Sequence, residues 1–338
     1  MLPASLRQFV TAARRLNPLA LSRTIGRVDS LKEATRELTS AVESLRIRTE
    51  QLATLEQTNW ELQEAVEQLP ASLDTESVRG HISRAIANAT LELDPFPYLV
   101  VEKWLPDDIY KLMIGGLPAP VFFADRDSSK QRLSVPFQMA PRYSRKVWQL
   151  ITRDVVSSIA GPLLSEKFGP AIRDYVKTFC PDLPAGVDLT MRTSNGHIML
   201  RRPGYVINPH RDPKWGFVSS LVYLARPGDN ESYGTQLYRV KDDEEAPTFK
   251  PFYVKESRCE LIKTVPFRAN TMLVFLNSAG AHGASIPADA QPPTLERHLY
   301  QFRLGPDTAT KVALLESMPE DGRARWGSGD LDSEGKGY

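Results

Sequence analysis

Three side chains in the second half of the sequence are of types that hold a transition metal. His210 and Asp212 lie two residues apart in Tyr205-Val-Ile-Asn-Pro-His-Arg-Asp-Pro213, and His282 follows seventy residues after Asp212. Side chains at positions i and i+2 of a strand share one face, so we expect His210 and Asp212 to converge on one ion. Two histidines and one carboxylate form a facial triad with open coordination positions, which non-haem iron oxygen chemistry requires.

The surroundings of these residues matter because a His-x-Asp pair alone is a weak signal. From Val187 onward, short runs of β character alternate with Pro and Gly turns, with strands before His210 and before His282. The clearest runs are 196–200, 217–224, 235–238, 271–275 and 298–302. This arrangement predicts a jelly roll or a similar barrel.

The region upstream of these strands has mixed character. The segment Asp94–Tyr110 predicts a strand, a turn at Pro106 and then a helix that begins at the acidic pair Asp107 and Asp108. Residues 141–177 carry apolar side chains at helical spacing. We therefore expect the globular domain to start near residue 94.

Residues 94 to 305 resemble the 2-oxoglutarate- and Fe(II)-dependent oxygenase superfamily, especially its prolyl-hydroxylase-like branch. The matching pieces are Pro95-Phe-Pro-Tyr-Leu-Val-Val-Glu-Lys-Trp-Leu-Pro106, His210-Arg-Asp212, Leu221-Val-Tyr-Leu224, Tyr233-Gly-Thr-Gln-Leu-Tyr238, His282 and Arg297-His-Leu-Tyr-Gln-Phe302. The resemblance implies a double-stranded β-helix, mainly β with packing helices, in agreement with the jelly-roll prediction. It also implies a dioxygenase with Fe(II) on His210, Asp212 and His282. Such an enzyme uses 2-oxoglutarate and dioxygen to hydroxylate a C–H bond and releases succinate and carbon dioxide.

The resemblance also suggests how the cosubstrate is held. In that family a basic residue on the strand after the distal histidine pairs with the far carboxylate of 2-oxoglutarate. Arg297 is expected to fill this role, because a guanidinium can form a bidentate pair with a carboxylate. Arg303 shares strand parity with Arg297 and is the competing candidate. Tyr205 is a further expected contact to the cosubstrate, whereas His197 and His298 are expected to be structural.

The N-terminal part of the chain has a heptad pattern. Leucines recur every seventh residue at Leu31, Leu38, Leu45 and Leu52, with Val28, Thr35, Val42 and Thr49 at the complementary positions. A second series, offset by three residues, comprises Leu55, Leu62 and Leu69. The pattern predicts a coiled coil over residues 28–70 and a homo-oligomer formed through it. The alternative is a long amphipathic helix that packs on its own domain.

The remaining segments complete the expected domain division. Residues 1–27 contain five arginines and no acid, which suits an organellar presequence, a membrane-surface helix or a simple basic terminus. Peripheral contact with a membrane or an assembly is the sharper hypothesis. Residues 71–93 are expected to form a linker helix, 94–306 the oxygenase domain, and 307–338 a polar and partly disordered tail.

Composition limits the classes of function. The net charge of +1 gives no global attraction to nucleic acid, and no nucleic-acid partner is expected. Two cysteines outside any CxxC pair indicate reduced thiols in an intracellular, cytoplasmic protein. No run approaches the ~20 apolar residues that a transmembrane helix needs. Two other functions stay open, namely a coiled-coil scaffold with a ligand-binding jelly roll, and a non-redox jelly-roll isomerase or epimerase.

Overall fold

The structure, a computed structural model, describes residues 18–72, 75–123, 129–134, 140–184, 186–241, 253–277 and 280–327. The chain divides into two compact units, Met1–Glu61 and Leu62–Tyr338. The five segments expected from the sequence remain a prediction. Most of the basic N-terminal segment, residues 1–17, lies outside the described residues.

A long helix, α1 (Pro18–Ser72), contains the heptad residues. Three of the heptad leucines are open to solvent, with Leu31 66%, Leu38 67% and Leu45 60% exposed, whereas Leu52 is half-buried. The helical conformation agrees with the expectation, while the coiled coil stays a prediction. Across the described ranges, no helix is both long and apolar enough to span a membrane.

The helices and strands of the second unit begin with a mixed region and continue into sheets. The mixed region contains α2 (Thr75–Asn88), β1 (Tyr98–Glu102), α3 (Asp107–Gly115), β2 (Lys130–Ser134), α4 (Arg142–Leu150), a π-helix (Ile151–Ala160) and α5 (Gly161–Phe179). The strands that follow are β3 (Met191–Thr193), β4 (His197–Arg201), β5 (Val206–His210), β6 (Val218–Tyr223), β7 (Thr235–Val240), β8 (Cys259–Val265), β9 (Thr271–Leu276), β10 (Ala281–Ser285) and β11 (Arg297–Pro306). Each of the five clearest β runs in the sequence corresponds to one of these strands.

The strands form two antiparallel sheets. The larger has the order β1-β9-β6-β11-β4-β2, with β3 also paired to β11, and the smaller has the order β5-β10-β7-β8. From β4 to β7 the chain alternates between the two sheets, as it does again from β9 to β11. This arrangement is β-rich and jelly-roll-like, as the sequence predicts. One sheet therefore faces the other across an interior that can be lined from both sides.

A hydrophobic core packs the helices against the outer face of the larger sheet. Trp104, Trp148 and Phe168 are completely buried in it. The tail expected from residue 307 contributes two helices, α6 (Thr308–Ser317) and α7 (Glu320–Trp326). The ring of Trp326 stacks on that of Phe179 with centroids 4.1 Å apart. Residues 328–338, expected to be disordered, lie outside the described part of the chain.

Candidate metal centre

The two candidate histidine ligands meet through strand pairing in the smaller sheet. His210 is the last residue of β5 and His282 the second of β10, and the two are directly opposite in the antiparallel register. Their ring centroids are 4.2 Å apart. Nδ1 of His210 lies 2.9 Å from the backbone oxygen of Asn208. Because that oxygen can only accept, Nδ1 carries the proton and Nε2 is left with its lone pair for a metal.

Asp212 joins the histidines by a route that differs from the one expected. It lies beyond the end of β5, so strand alternation is not what aligns it with His210. Asn277, directly after β9, fixes the backbone on both sides of Asp212, because its Oδ1 accepts from the Asp212 N–H at 2.9 Å and its Nδ2 donates to the Asp212 carbonyl at 2.6 Å. The prediction that strand alternation aligns Asp212 with His210 is therefore wrong, although the three candidate ligand atoms lie within 4.8 Å of one another.

The carboxylate of Asp212 is held by donors from β6 and β11. Ser219 Oγ donates to Oδ2 at 2.5 Å, and Gln301 Nε2 donates to the same oxygen at 3.2 Å. Arg303 Nη2 lies 3.5 Å from Oδ1. Burial raises the pKa of Asp212. The charge of Arg303, the charges that His282 and His210 gain at low pH, and the Ser219 hydrogen bond outweigh burial and hold that pKa below its usual value. The group is therefore an ionised ligand inside the protein.

The histidines are kept neutral. Burial and the neighbouring His210 lower the pKa of His282 to about 3, although Asp212 opposes the shift. Burial is also the largest cause that lowers the pKa of His210. A neutral imidazole offers a lone pair to a metal, whereas an imidazolium does not. His210, Asp212 and His282 thus form a buried set of two neutral nitrogen donors and one anionic oxygen donor, a group able to hold a metal ion.

Arg297 is a buried cation without an acidic partner among the described residues. It is 2% exposed, and its Nε and Nη2 have no hydrogen-bond partner in the part of the chain that the structure describes. Its guanidinium lies 4.8 Å from the ring centre of Phe267 and 5.7 Å from that of Tyr223. Burial lowers its pKa to about 10. A buried guanidinium with unused donors is costly, and an anion would offset that cost.

Arg303 and Tyr205 occupy different places around the same cavity. Arg303 is turned toward Asp212, as described above, and its Nε also lacks a partner among the described residues. Tyr205 is 5% exposed, and the guanidinium of Arg201 lies 4.7 Å from its ring centre. The structure thus separates the two arginines, with Arg303 next to the candidate metal ligands and Arg297 packed against aromatic rings.

The triad, Arg297 and Tyr205 line one cavity of about 340 Å³, a size that suits a small-molecule site. Several of its residues were not singled out from the sequence, namely Lys130, Arg132, Arg201 and Gln301. The parity of β11, on which Arg297 and Arg303 share a face, could have identified Gln301.

His197, expected to be structural, also lines the cavity. His298 packs on the opposite side of β11 against Phe123, with ring centroids 5.9 Å apart.

Of the comparisons with known proteins, only the one with solved structures found matches. No family model matches the chain, and no curated protein matches it. A Pseudomonas putida prolyl-4-hydroxylase is 14% identical at a TM-score of 0.37, over 67% of this chain and 99% of the other. HygX from Streptomyces hygroscopicus, with nickel and 2-oxoglutarate bound, is 16% identical at a TM-score of 0.37, over 62% of this chain and 83% of the other. An oxidoreductase of the 2OG-Fe(II) oxygenase family from Burkholderia pseudomallei is 9% identical at a TM-score of 0.37, over 66% of this chain and 89% of the other.

Proposed function

We propose that this chain is an Fe(II)- and 2-oxoglutarate-dependent oxygenase of the prolyl-hydroxylase-like branch, which hydroxylates a substrate C–H bond. One observation carries the proposal. A buried set of two neutral histidines and an ionised aspartate lines the same cavity as Arg297, a buried arginine with unused donors. The first feature suits a metal that needs open coordination positions, and the second suits the far carboxylate of a small dicarboxylate.

In this proposal, some residues of the chain hold the metal and others orient its ligands. His210, Asp212 and His282 would hold Fe(II) on one face, which leaves the other positions for ligands. The bound metal, with 2-oxoglutarate and dioxygen, would supply the oxidation of a C–H bond with release of succinate and carbon dioxide. Ser219 and Gln301 keep Asp212 oriented, and the burial of all three ligands excludes bulk water from the centre.

Arg297 is the better candidate for the cosubstrate clamp than Arg303. Its guanidinium has no acid to neutralise it among the described residues, whereas Arg303 already lies beside the Asp212 carboxylate. The guanidinium of Arg297 also packs against the rings of Phe267 and Tyr223. A guanidinium that is held in this way favours bidentate binding of a carboxylate. Tyr205 lines the same cavity and is proposed as an additional contact to the cosubstrate.

The test is conversion of 2-oxoglutarate to succinate by the full chain in air, with Fe(II) added or removed by a chelator. We expect succinate to form only with Fe(II) and dioxygen, and a slow substrate-independent rate is sufficient for the measurement. A scaffold with a ligand-binding jelly roll would leave 2-oxoglutarate unchanged, and a non-redox isomerase or epimerase would release no succinate. Either result, together with no metal-dependent binding of 2-oxoglutarate in anaerobic calorimetry, would overturn the proposal.

We also propose that α1 forms a homo-oligomeric coiled coil. Three of its heptad leucines, Leu31, Leu38 and Leu45, are each at least 60% exposed, and burying such side chains against a second copy is favourable. Thr35 and Thr49, the polar heptad positions, are compatible with burial in a coiled-coil interface. Their hydroxyls donate to carbonyls four residues earlier at 2.7 and 2.8 Å. Each hydroxyl thus keeps a partner when it is buried.

A further inference from the structure

Two buried arginines lie next to each other in the larger sheet. Arg201 on β4 is directly opposite Arg297 on β11 in the antiparallel register. Both line the cavity of the candidate metal centre, and they are 5% and 2% exposed, respectively. Like charges at directly opposite positions of paired strands are destabilising, and burial of a charge is costly unless a partner compensates it. An anion bound next to both guanidiniums would offset both costs.

Within the described part of the chain, the hydrogen bonds of Arg201 all go to neutral atoms. Its Nη1 donates to the backbone oxygens of Gln131 at 2.6 Å and Leu200 at 3.1 Å, and its Nη2 donates to the sulfur of Met199 at 3.0 Å. Its guanidinium also lies 4.7 Å from the ring centre of Tyr205. These contacts hold the guanidinium in place without an acidic partner among those residues.

The acids nearest to this pair of arginines are engaged elsewhere. Glu296 directly precedes Arg297, but its carboxylate pairs with Arg202 at 3.1 Å, and it is not among the described residues that line the cavity. Asp212 is the one carboxylate in the described lining, and it lies beside Arg303 as one of the candidate metal ligands. Over the described ranges, no ion pair joins either carboxylate to the two arginines of the pair.

The register of β4 on β11 arranges the side chains of this cavity wall in three rows. All six side chains line the cavity, and the opposed pairs are His197 and Gln301, Met199 and Leu299, and Arg201 and Arg297. The first row is the one next to the metal ligands, because Gln301 donates to Asp212. Successive rows are roughly 7 Å apart along a strand. The wall therefore changes from polar at the metal ligands, through apolar, to cationic.

This order of rows matches the order of groups in 2-oxoglutarate. The keto acid end of that molecule is the part that can chelate a metal, two methylene groups follow, and a second carboxylate ends the molecule. Met199 and Leu299 offer an apolar surface to the methylene groups. Arg201 and Arg297 then offer two guanidiniums at the end where the far carboxylate is expected, and a carboxylate has two oxygens that can accept from both.

We infer that Arg201 and Arg297 form one site for the far carboxylate of 2-oxoglutarate, so that Arg201 is a second cosubstrate-binding residue beside the proposed clamp. The inference rests on the proposed function and adds a residue to the binding of its cosubstrate. Each guanidinium packs against aromatic rings, Arg201 against Tyr205 and Arg297 against Phe267 and Tyr223. Both groups are thus held before the anion binds, which favours binding.

The test compares two 2-oxo acids of the same chain length. 2-Oxopentanoate keeps the keto acid end of 2-oxoglutarate but has a methyl group in place of the far carboxylate. Calorimetric titration and displacement measure the affinity of both acids for the full chain loaded with Mn(II), and wild type should prefer 2-oxoglutarate. Arg201→Gln and Arg297→Gln should each reduce that preference by about tenfold or more, the loss of one charge-assisted contact. The affinity for 2-oxopentanoate should not change.

Two further variants serve as controls. Arg201→Met also removes the charge but introduces no polar group, and it provides the same comparison if Arg201→Gln does not fold. Arg239→Gln removes an arginine of β7 that pairs with Asp94 and Glu260 outside the cavity, and it should leave both affinities unchanged.

The outcomes distinguish this inference from the proposed function. If Arg201 has a purely structural role, its variants will bind both acids more weakly and keep the wild-type preference, which would overturn the inference. If Arg297→Gln reduces the preference while Arg201→Gln and Arg201→Met do not, the inference is wrong and the proposed function stands. If the metal-loaded wild type binds neither acid, the oxygenase assignment fails, and the inference fails with it.

Discussion

His210 and His282 lie directly opposite each other on paired antiparallel strands, with ring centroids 4.2 Å apart. The register of β5 on β10 therefore brings together two residues that are far apart in the sequence. Side chains at directly opposed positions of an antiparallel pair are close neighbours on one face. The nitrogen half of the candidate metal centre is thus built into the backbone of the smaller sheet, and only the oxygen ligand depends on a loop.

The orientation of Asp212 gives a first prediction. Ser219→Ala removes the shorter of the two hydrogen bonds to Oδ2, and Gln301→Leu removes the other. We expect each change to lower metal affinity by roughly 10- to 100-fold, as is usual when a partner that orients a ligand is lost. A calorimetric titration of the metal-free protein with Mn(II) measures the metal affinity of each variant.

Ser220, the next residue of β6, provides a matched control. The hydroxyl of Ser220 is buried and has no hydrogen-bond partner among the described residues. Ser220→Ala should therefore leave metal affinity unchanged. Equal affinities in the Ser219→Ala and Ser220→Ala variants would show that the Ser219 hydrogen bond does not position the ligand.

The choice between two arginines gives a second prediction. Arg297→Gln removes the proposed carboxylate clamp and should raise the KM for 2-oxoglutarate by roughly 100-fold, because a buried charge pair is lost. Arg303→Gln acts beside Asp212 and should change metal affinity more than the KM for 2-oxoglutarate. Initial rates of succinate formation over a range of 2-oxoglutarate concentrations give the KM, and a titration with Fe(II) at saturating 2-oxoglutarate gives the metal affinity. The reverse pattern, with Arg303→Gln giving the larger rise in KM, would assign the clamp to Arg303.

The exposed heptad leucines give a third prediction. Leu38→Asp places a charge in the proposed seam and should shift the full chain from oligomer to monomer in sedimentation equilibrium. Ser40→Asp introduces the same charge two residues away, outside the leucine and Val/Thr heptad positions, and should leave the mass unchanged. A monomeric wild-type protein at micromolar concentrations would show that α1 does not self-associate.

A close backbone approach next to the cavity gives a fourth prediction. Gly234 precedes β7, and a Cβ at this position would overlap the backbone oxygen of Val265 on the paired strand β8. Gly234→Ala should lower the free energy of unfolding by roughly 1–3 kcal/mol or more, since backbone atoms must move. In α2, Gly80→Ala would meet only the flexible end of Arg84 at 3.3 Å and should be neutral or slightly stabilising. Chemical denaturation of both variants measures the difference, and equal stabilities would show that β7 and β8 can separate at no cost.

Much of the fold could be predicted because its signals are local. The apolar runs of β6 and β9 and the helical spacing of residues 141–177 are each visible within a short window. By contrast, β2 is Lys-Gln-Arg-Leu-Ser, a mostly polar run whose strand conformation depends on its pairing with β4. It was not predicted, and the two cations Lys130 and Arg132 were missed with it. Helix α6 was missed for a similar reason, since Leu314 becomes buried only through long-range packing.

In the site too, local features could be predicted from the sequence, whereas features that depend on distant residues could not. Residue type and order were sufficient to identify His210, Asp212 and His282 as a group that can hold a metal. Sequence reasoning placed Asp212 on the strand, whereas hydrogen bonds from Asn277, sixty-five residues away, fix it in a loop. A side chain that orients a loop over this separation leaves no periodic signal, and only the folded chain shows it.

The most direct test of the central claim is succinate formation from 2-oxoglutarate in variants of the metal ligands. We predict that His210→Ala and Asp212→Ala each abolish Fe(II)-dependent succinate formation, because each leaves the metal with two protein ligands. His81→Ala, which removes a histidine bonded to the carbonyl of Lys103 outside the cavity, should retain the wild-type rate. Undiminished succinate formation in both ligand variants would contradict the assignment of the metal centre.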